Sequence, residues 1–434
     1  MENISSVYQQ KCVSPKDLVT QIANGWNCCT DIAGSIPTTI LNCLGERASA
    51  GEVTGIHLHT FLDIQPLGSL LPDAFPGITP VSWFSGSGLR KAVNEGRADV
   101  MPCYYQDIPG LFRDYIEVDA LLIAVSPMDK HGYFSTSLVG SACEVLIRKA
   151  KHIFLEVNKN LPRALSAPQI HISQVDALCE TDVPLPILPP VTIDETSRII
   201  GEYIAEEVPN GATLQLGIGA VPGAVGMALK DKHDLGIHTE LFTDSMMELI
   251  ECGAVTNDKK PLHRGKTVAT MAFGSQRMYD YIDDNPQFML MPVDYVNNPA
   301  VIAQLPNFIS VNAALEVDFF GQVCAESVGT RHISGSGGQV DYVRGAVMSP
   351  GGKSFIAFPS TAKNDTISKI CPTLTPGAIV TTSKNDVDYI VTEYGMAKLR
   401  GKTLSQRAKA LISIAHPKFR DELTFQARQQ NIII

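Results

Sequence analysis

Leu214–Asp231 reads LQLGIGAVPGAVGMALKD, an apolar stretch that runs into closely spaced glycines and then into a helical pattern. Strand, tight turn and helix in that order form the repeating unit of α/β architecture. Gly217 and Gly219 let backbone N–H groups approach a ligand, and the helix predicted to begin near Pro222 points a positive amino terminus at the same place. The glycines at 217, 219 and 223 miss G-x-G-x-x-G spacing by one residue, and no acidic ribose ligand follows at the expected offset, so a dinucleotide fingerprint is excluded. By itself the motif reads equally as a plain strand-to-helix turn or as a binding loop.

Similar units recur on both sides. The two-sided apolar runs DALLIAVSP and HIFLEV precede it; KTVATMAFG, FISVNAALEV and AIVTTS follow. Runs of this kind are typical of strands buried on both faces. They alternate with helical patterns such as GLRKAVNEG and LSQRAKALISIA, which predicts an α/β fold of two domains with mainly parallel sheets. The four prolines of TDVPLPILPPVT, Thr181–Thr192, mark an extended connection between them. The predicted domains are therefore 1–185 and 186–434. Thr192-x-x-Glu195 reads as a capping box, and Ile199, Ile200, Tyr203 and Ile204 repeat at helical spacing until Pro209.

Composition narrows the chemistry. The 434 residues carry a formal charge of -10, with 44% hydrophobic and 18% charged residues. No basic run offers a footprint for nucleic acid or an anionic membrane. The amino terminus lacks the basic start and apolar run of a secretory signal, and no 18 apolar residues stand together, so a cytoplasmic protein is expected. Ten cysteines occur without C-x-x-C spacing and read as small buried hydrophobes, not disulfides or zinc ligands. His57 and His59 alternate on a strand-like stretch, but no H-E-x-x-H motif or carboxylate cluster accompanies them, so no metal is expected.

GIHTELFTD, Gly236–Asp244, places charge inside a strand-like stretch. On a strand, Ile237, Thr239 and Leu241 share one face while His238, Glu240 and Phe242 share the other. Ser245-x-x-Glu248 reads as a second capping box, with Gly253 ending the helix after it. Glu240 thus stands near the carboxyl end of a strand, where α/β sheets bind ligands; a solvated or ion-paired carboxylate is the competing account. HISGSGGQVDYVRGA reads as a turn crowded by Gly335, Gly337 and Gly338 between two strands, and SPGGKSF as a hairpin without P-loop spacing.

Several of these blocks, with RKAVNEGRADVMP, VSPMDKHGYFS, PVDYVNNPAVIAQ and VTTSKNDVDYIVTEYGMAKLRGK, resemble the CoA-transferases of the acetyl-CoA hydrolase/transferase type, the 4-hydroxybutyrate CoA-transferases among them. The resemblance covers most of the chain and is densest from Leu214 onward. It implies two similar CoA-transferase-type domains with the active site at their interface, and Glu240 as the covalent catalytic residue. It also implies CoA contacts at Gly217, Ile218, Gly219, Ala220, Val221, Leu315 and Gly338, with glycine-turn amides serving as oxyanion donors.

The reaction it implies is ping-pong. CoA passes from a short-chain acyl-CoA such as acetyl- or butyryl-CoA to a carboxylate such as 4-hydroxybutyrate, through a glutamyl-CoA thioester. No prosthetic group or metal is implied, CoA is a substrate, and a homodimer or larger homo-oligomer is expected. Pocket shape, rather than the nucleophile, sets the choice of acid. Two competitors remain: an acyl-CoA hydrolase using the same glutamate, and a non-catalytic acyl-CoA-binding sensor on a similar fold.

Overall fold

The run Ala120–Val125 is buried at every position, as a strand covered on both faces requires. The computed structural model describes residues 4–64 and 67–433 and divides into two units, residues 1–189 with 268–296 and residues 190–267 with 297–434. The first unit holds β1 (Asn27–Ile32), β2 (Ile56–Phe61), β3 (Ile78–Phe84), β4 (Asp99–Val100), β5 (Ala120–Val125), β6 (His152–Asn158) and β7 (Ala177–Thr181). They form one sheet in the order β4-β3-β2-β1-β5-β6-β7, parallel throughout. Helix α1 (Thr38–Ser49) contributes Leu41 and Leu44 to a core with Ile56, Leu58, Leu122 and Phe154.

Residues 268–296 group with this unit, and part of their backbone is bonded to it. Gly140 N–H donates to Thr270 O at 2.7 Å, and Ala272 N–H to Leu138 O at 2.9 Å. A Cβ on Gly140 would collide with the Met291 carbonyl, so glycine is what permits the approach.

The second unit carries β8 (Thr213–Leu216), β9 (Gly236–Phe242), β10 (Phe308–Asn312), β11 (Lys353–Ala357), β12 (Tyr389–Thr392) and β13 (Gly395–Lys398). Its strands run in the order β9-β8-β10-β11-β12-β13, parallel except for the terminal β12–β13 hairpin. Its main helices are α2 (Glu195–Glu206), α3 (Ala220–Ala228), α4 (Asp244–Glu251), α5 (Gln339–Met348), α6 (Leu404–Ser413) and α7 (Pro417–Gln429). Helices α2 and α3 pack so closely that a Cβ on Gly201 would overlap Ala224. The mixed α/β architecture with mainly parallel sheets is the one predicted.

Local details differ from the sequence reading, each for a physical reason. Helix α2 is capped by Asp194, whose carboxylate accepts from Ser197 N–H at 2.7 Å, and not by Thr192. Helix α4 is capped by Thr243 without a side-chain bond, and Ser245 lies inside its first turn. Helix α3 begins at Ala220, so Pro222 sits within the first turn, where its missing N–H costs nothing. VDYVRGA is helix α5 and not a strand. Gln339, Val340, Asp341, Tyr342, Val343, Gly345 and Ala346 are all buried, and burial on nearly every side of the helix erases the 3.6-residue pattern. SPGGKSF consequently joins a helix to β11 and is not a hairpin. AIVTTS forms no strand; Thr381 and Thr382 instead meet Val323 in an isolated bridge.

Candidate active site

Strand β9 spans Gly236–Phe242 as predicted, so His238 and Glu240 share a face. Because β8, β9 and β10 are parallel neighbours, their carboxyl ends open on one edge of the sheet. Glu240 stands at that end of β9. The segment after β8 carries Gly217, Ile218 and Gly219 and leads into α3 at Ala220, and the segment after β10 carries Leu315. Helix α5 runs back from this edge before β11, which brings its amino-terminal residue Gly338 to the same edge.

The carboxylate of Glu240 is held by two donors. Asn297 Nδ2 lies 2.7 Å from Oε2, and the Gly338 backbone N–H also donates to the carboxylate. Gly338 has φ -94° and ψ 10°, values open to any residue. A Cβ there, however, would collide with Glu240 Oε2 and Asn297 Nδ2. Glycine is needed for space, not for backbone freedom. Asn297 is fully buried and its orientation is fixed from behind: Tyr342 Oη donates to Oδ1 at 3.1 Å. That bond leaves the amide nitrogen, the only donor end, facing Glu240. Asp341 Oδ2 lies 3.4 Å from the same nitrogen.

Burial pushes the Glu240 carboxyl up to about 7, against the opposing effect of the Asn297 and Gly338 hydrogen bonds. The residue as a whole keeps part of its surface open, and burial of its carboxyl raises its basicity. The arrangement suits a nucleophile whose carboxyl group faces two fixed donors.

The remaining predicted residues fall into separate groups. Gly219 adopts φ +113° and ψ -173°, with nothing within 4 Å of a hypothetical Cβ; here glycine is required for the backbone. Ile218 is 48% exposed at the tip of that turn. Leu315 is half-buried, and its N–H donates to Cys324 O at 2.8 Å. His238 is buried, with its ring edge-on to Phe308 at 6.2 Å, and Phe308 stacks in turn on Tyr342 at 6.0 Å.

His57 and His59 do not converge as metal ligands: His57 is exposed, whereas His59 Nδ1 accepts from Trp83 Nε1 at 3.1 Å in the first unit's core. Burial lowers the His59 imidazole to about 4. Among the described residues no group of three or more His, Cys, Asp or Glu could hold a metal ion, and no helix is long and apolar enough to cross a membrane.

Asn297, Asp341 and Tyr342 were not legible as site residues. Asn297-Asn298-Pro299 signals a helix start, and Asn298 is indeed the cap, accepting from Ala300 N–H at 2.9 Å. Of the two adjacent asparagines it is Asn297 that turns inward, onto Tyr342 Oη and Glu240.

Comparison with known proteins places the chain in a family. Residues 1–189 match the acetyl-CoA hydrolase/transferase N-terminal domain and residues 274–427 the C-terminal domain of the same name. The chain is 48% identical to the succinyl-CoA:cyclohexane-1-carboxylate CoA transferase of Geobacter metallireducens, covering 98% of this chain and 97% of that protein. It is 50% identical to the 4-hydroxybutyrate coenzyme A transferase of Clostridium kluyveri, over 78% of this chain and 80% of that protein. Among solved structures, RipA from Yersinia pestis superimposes with a TM-score of 0.94 at 38% identity, covering 99% of this chain and 100% of that one. The chain therefore belongs to the acetyl-CoA hydrolase/transferase family.

Proposed function

We propose that the protein is a CoA-transferase that moves CoA from a short-chain acyl-CoA, such as acetyl- or butyryl-CoA, to a carboxylate such as 4-hydroxybutyrate. The observation that carries this reading is the Glu240 carboxylate held between Asn297 Nδ2 and the Gly338 N–H. CoA-transferase relatives that cover nearly all or most of the chain support it.

In the first step Glu240 Oε1 attacks the acyl carbonyl; the C–S bond breaks and CoA thiolate leaves, giving a mixed anhydride. The thiolate then attacks Cδ of Glu240. Negative charge builds on Oε2, the oxygen that Asn297 Nδ2 faces at 2.7 Å, with the Gly338 N–H donating to the same carboxyl group, and the acyl group departs as a free carboxylate. The resulting γ-glutamyl-CoA thioester is attacked by the incoming carboxylate, and the two steps run in reverse. Fixed donors that need no reorganisation as charge develops are the largest contribution an enzyme makes to such steps. Anhydride and thioester are both activated acyl derivatives, so activation is retained along the sequence and no metal or redox group is called on; CoA enters as a substrate. We assign its docking to Gly217–Val221, which lead from β8 into α3, and to Leu315, which follows β10.

Mass spectrometry of protein incubated with butyryl-CoA tests the reading. A CoA adduct is expected on the peptide carrying Glu240, together with acyl-CoA loss that depends on added carboxylate. Loss at an undiminished rate without acceptor reassigns the reaction to hydrolysis, and an adduct on another residue removes Glu240 as the nucleophile. The pH profile offers a second check. The reacting form is the charged carboxylate, so kcat/KM should fall about tenfold per unit as pH drops below about 7. A profile flat down to pH 5 would contradict the buried nucleophile.

A further inference from the structure

We propose that Glu326, a buried residue outside the reacting centre, is the positioning residue that sets the Gly338 N–H against Glu240. The proposal rests on the reading of that N–H as an oxyanion donor. Gly338 ends a loop whose glycines at 335, 337 and 338 supply no side chains to anchor it, and Gly337 takes the left-handed φ of +56°. Such a segment loses the most conformational entropy on ordering. Something outside it has to hold it.

Glu326 does so at three points. Its backbone carbonyl accepts from Ile333 N–H at 2.8 Å and Ser334 N–H at 3.2 Å. Its carboxylate accepts from Ser336 Oγ at 3.2 Å and 3.4 Å. The carboxylate is itself fixed by Thr381 Oγ1 at 2.8 Å, and that hydroxyl accepts from Ala325 N–H at 2.9 Å. Thr381 and Thr382 are in turn pinned to Val323 by backbone bonds of 2.8 Å and 3.0 Å.

On the far side of Gly338 the next residue is held from the same dipeptide: Thr382 Oγ1 donates to Gln339 Oε1 at 2.8 Å, and Gln339 Nε2 to Ala313 O at 2.7 Å. Gly338 is therefore suspended between Ser336 and Gln339, both tied to one platform. A displacement near 1 Å at a reacting centre can cost roughly 10²-fold in rate.

The test compares Ser336→Ala, Glu326→Gln and the restoring variant Ser336→Thr. The first two should lower kcat about tenfold while KM for acyl-CoA stays within about twofold. Weakening the Gly338 bond removes a donor to the charged carboxylate, so the titration midpoint of Glu240 should rise by about half a unit. Ser336→Thr should restore both. The midpoint is read from the carboxyl carbon signal of ¹³C-glutamate-labelled protein, assigned by its loss in Glu240→Gln, and needs no substrate. If native protein forms no CoA adduct, the transferase reading fails, while the midpoint still decides the positioning role. An unchanged midpoint overturns the proposal, including the case in which kcat falls together with melting temperature, since that pattern marks a residue serving the fold alone.

Discussion

Glu240→Gln should abolish CoA transfer, lowering kcat by about 10⁴-fold or more, because the amide has no nucleophilic oxygen to open the acyl thioester. The substitution is isosteric, and its carbonyl oxygen can still accept from Asn297 Nδ2 and the Gly338 N–H. Loss of turnover should therefore come without loss of fold. The stability effect runs the other way. Burial raises the folded-state carboxyl to about 7 from its ordinary 4.5, so the folded protein binds this proton more tightly than the unfolded chain. The associated stability is complete below about pH 4.5 and is lost as pH rises through about 7.

At pH 8 the native protein thus carries a buried charge that the amide removes, a difference of at most about 3 kcal/mol. Melting curves should show Glu240→Gln above the native protein at pH 8, with the gap closing at pH 4.5. Equal melting temperatures at pH 8 would contradict the desolvated carboxylate, and residual turnover within tenfold of native would exclude Glu240 as the nucleophile.

Gly338→Ala should lower kcat by roughly 10²–10³-fold, the cost of losing one placed oxyanion donor. The methyl group cannot share its space with Glu240 Oε2 and Asn297 Nδ2, so carboxylate, amide or loop must move. The backbone at φ -94° and ψ 10° accepts alanine without strain, and the fold should persist with circular dichroism unchanged. Steady-state kinetics and the Glu240 adduct, measured together, check the expectation: adduct formation should slow in step with turnover. Native-like kcat in this variant would show that the contact closes on nothing the reaction uses.

Gly219 and Gly338 show how far glycine spacing can be read. Both stand in glycine-rich turns, and the sequence gives each the same choice between backbone freedom and room for a neighbour. At Gly219 the answer is the backbone, at φ +113° with open space around it; at Gly338 it is the neighbour, a carboxylate from a strand almost a hundred residues earlier. Helix α5 was hidden for a related reason. A helix buried on nearly every side loses its amphipathic stripe, and Val340-Asp341-Tyr342 then imitates strand alternation.

What the sequence by itself determined was the α/β class, from two-sided apolar runs set between helices, and the placing of Glu240 on a strand face near a carboxyl end, from an alternation with period two. Both are local properties of a covalent chain. Tertiary structure alone decided that Asn297 and Gly338 meet on the Glu240 carboxylate, that Tyr342 orients the amide, and that residues 268–296 pack with the first unit. These pairings join residues tens to about a hundred positions apart, and their specificity lies in the burial of polar groups that must find partners once water is excluded. No pattern within a short window encodes which partner each one finds.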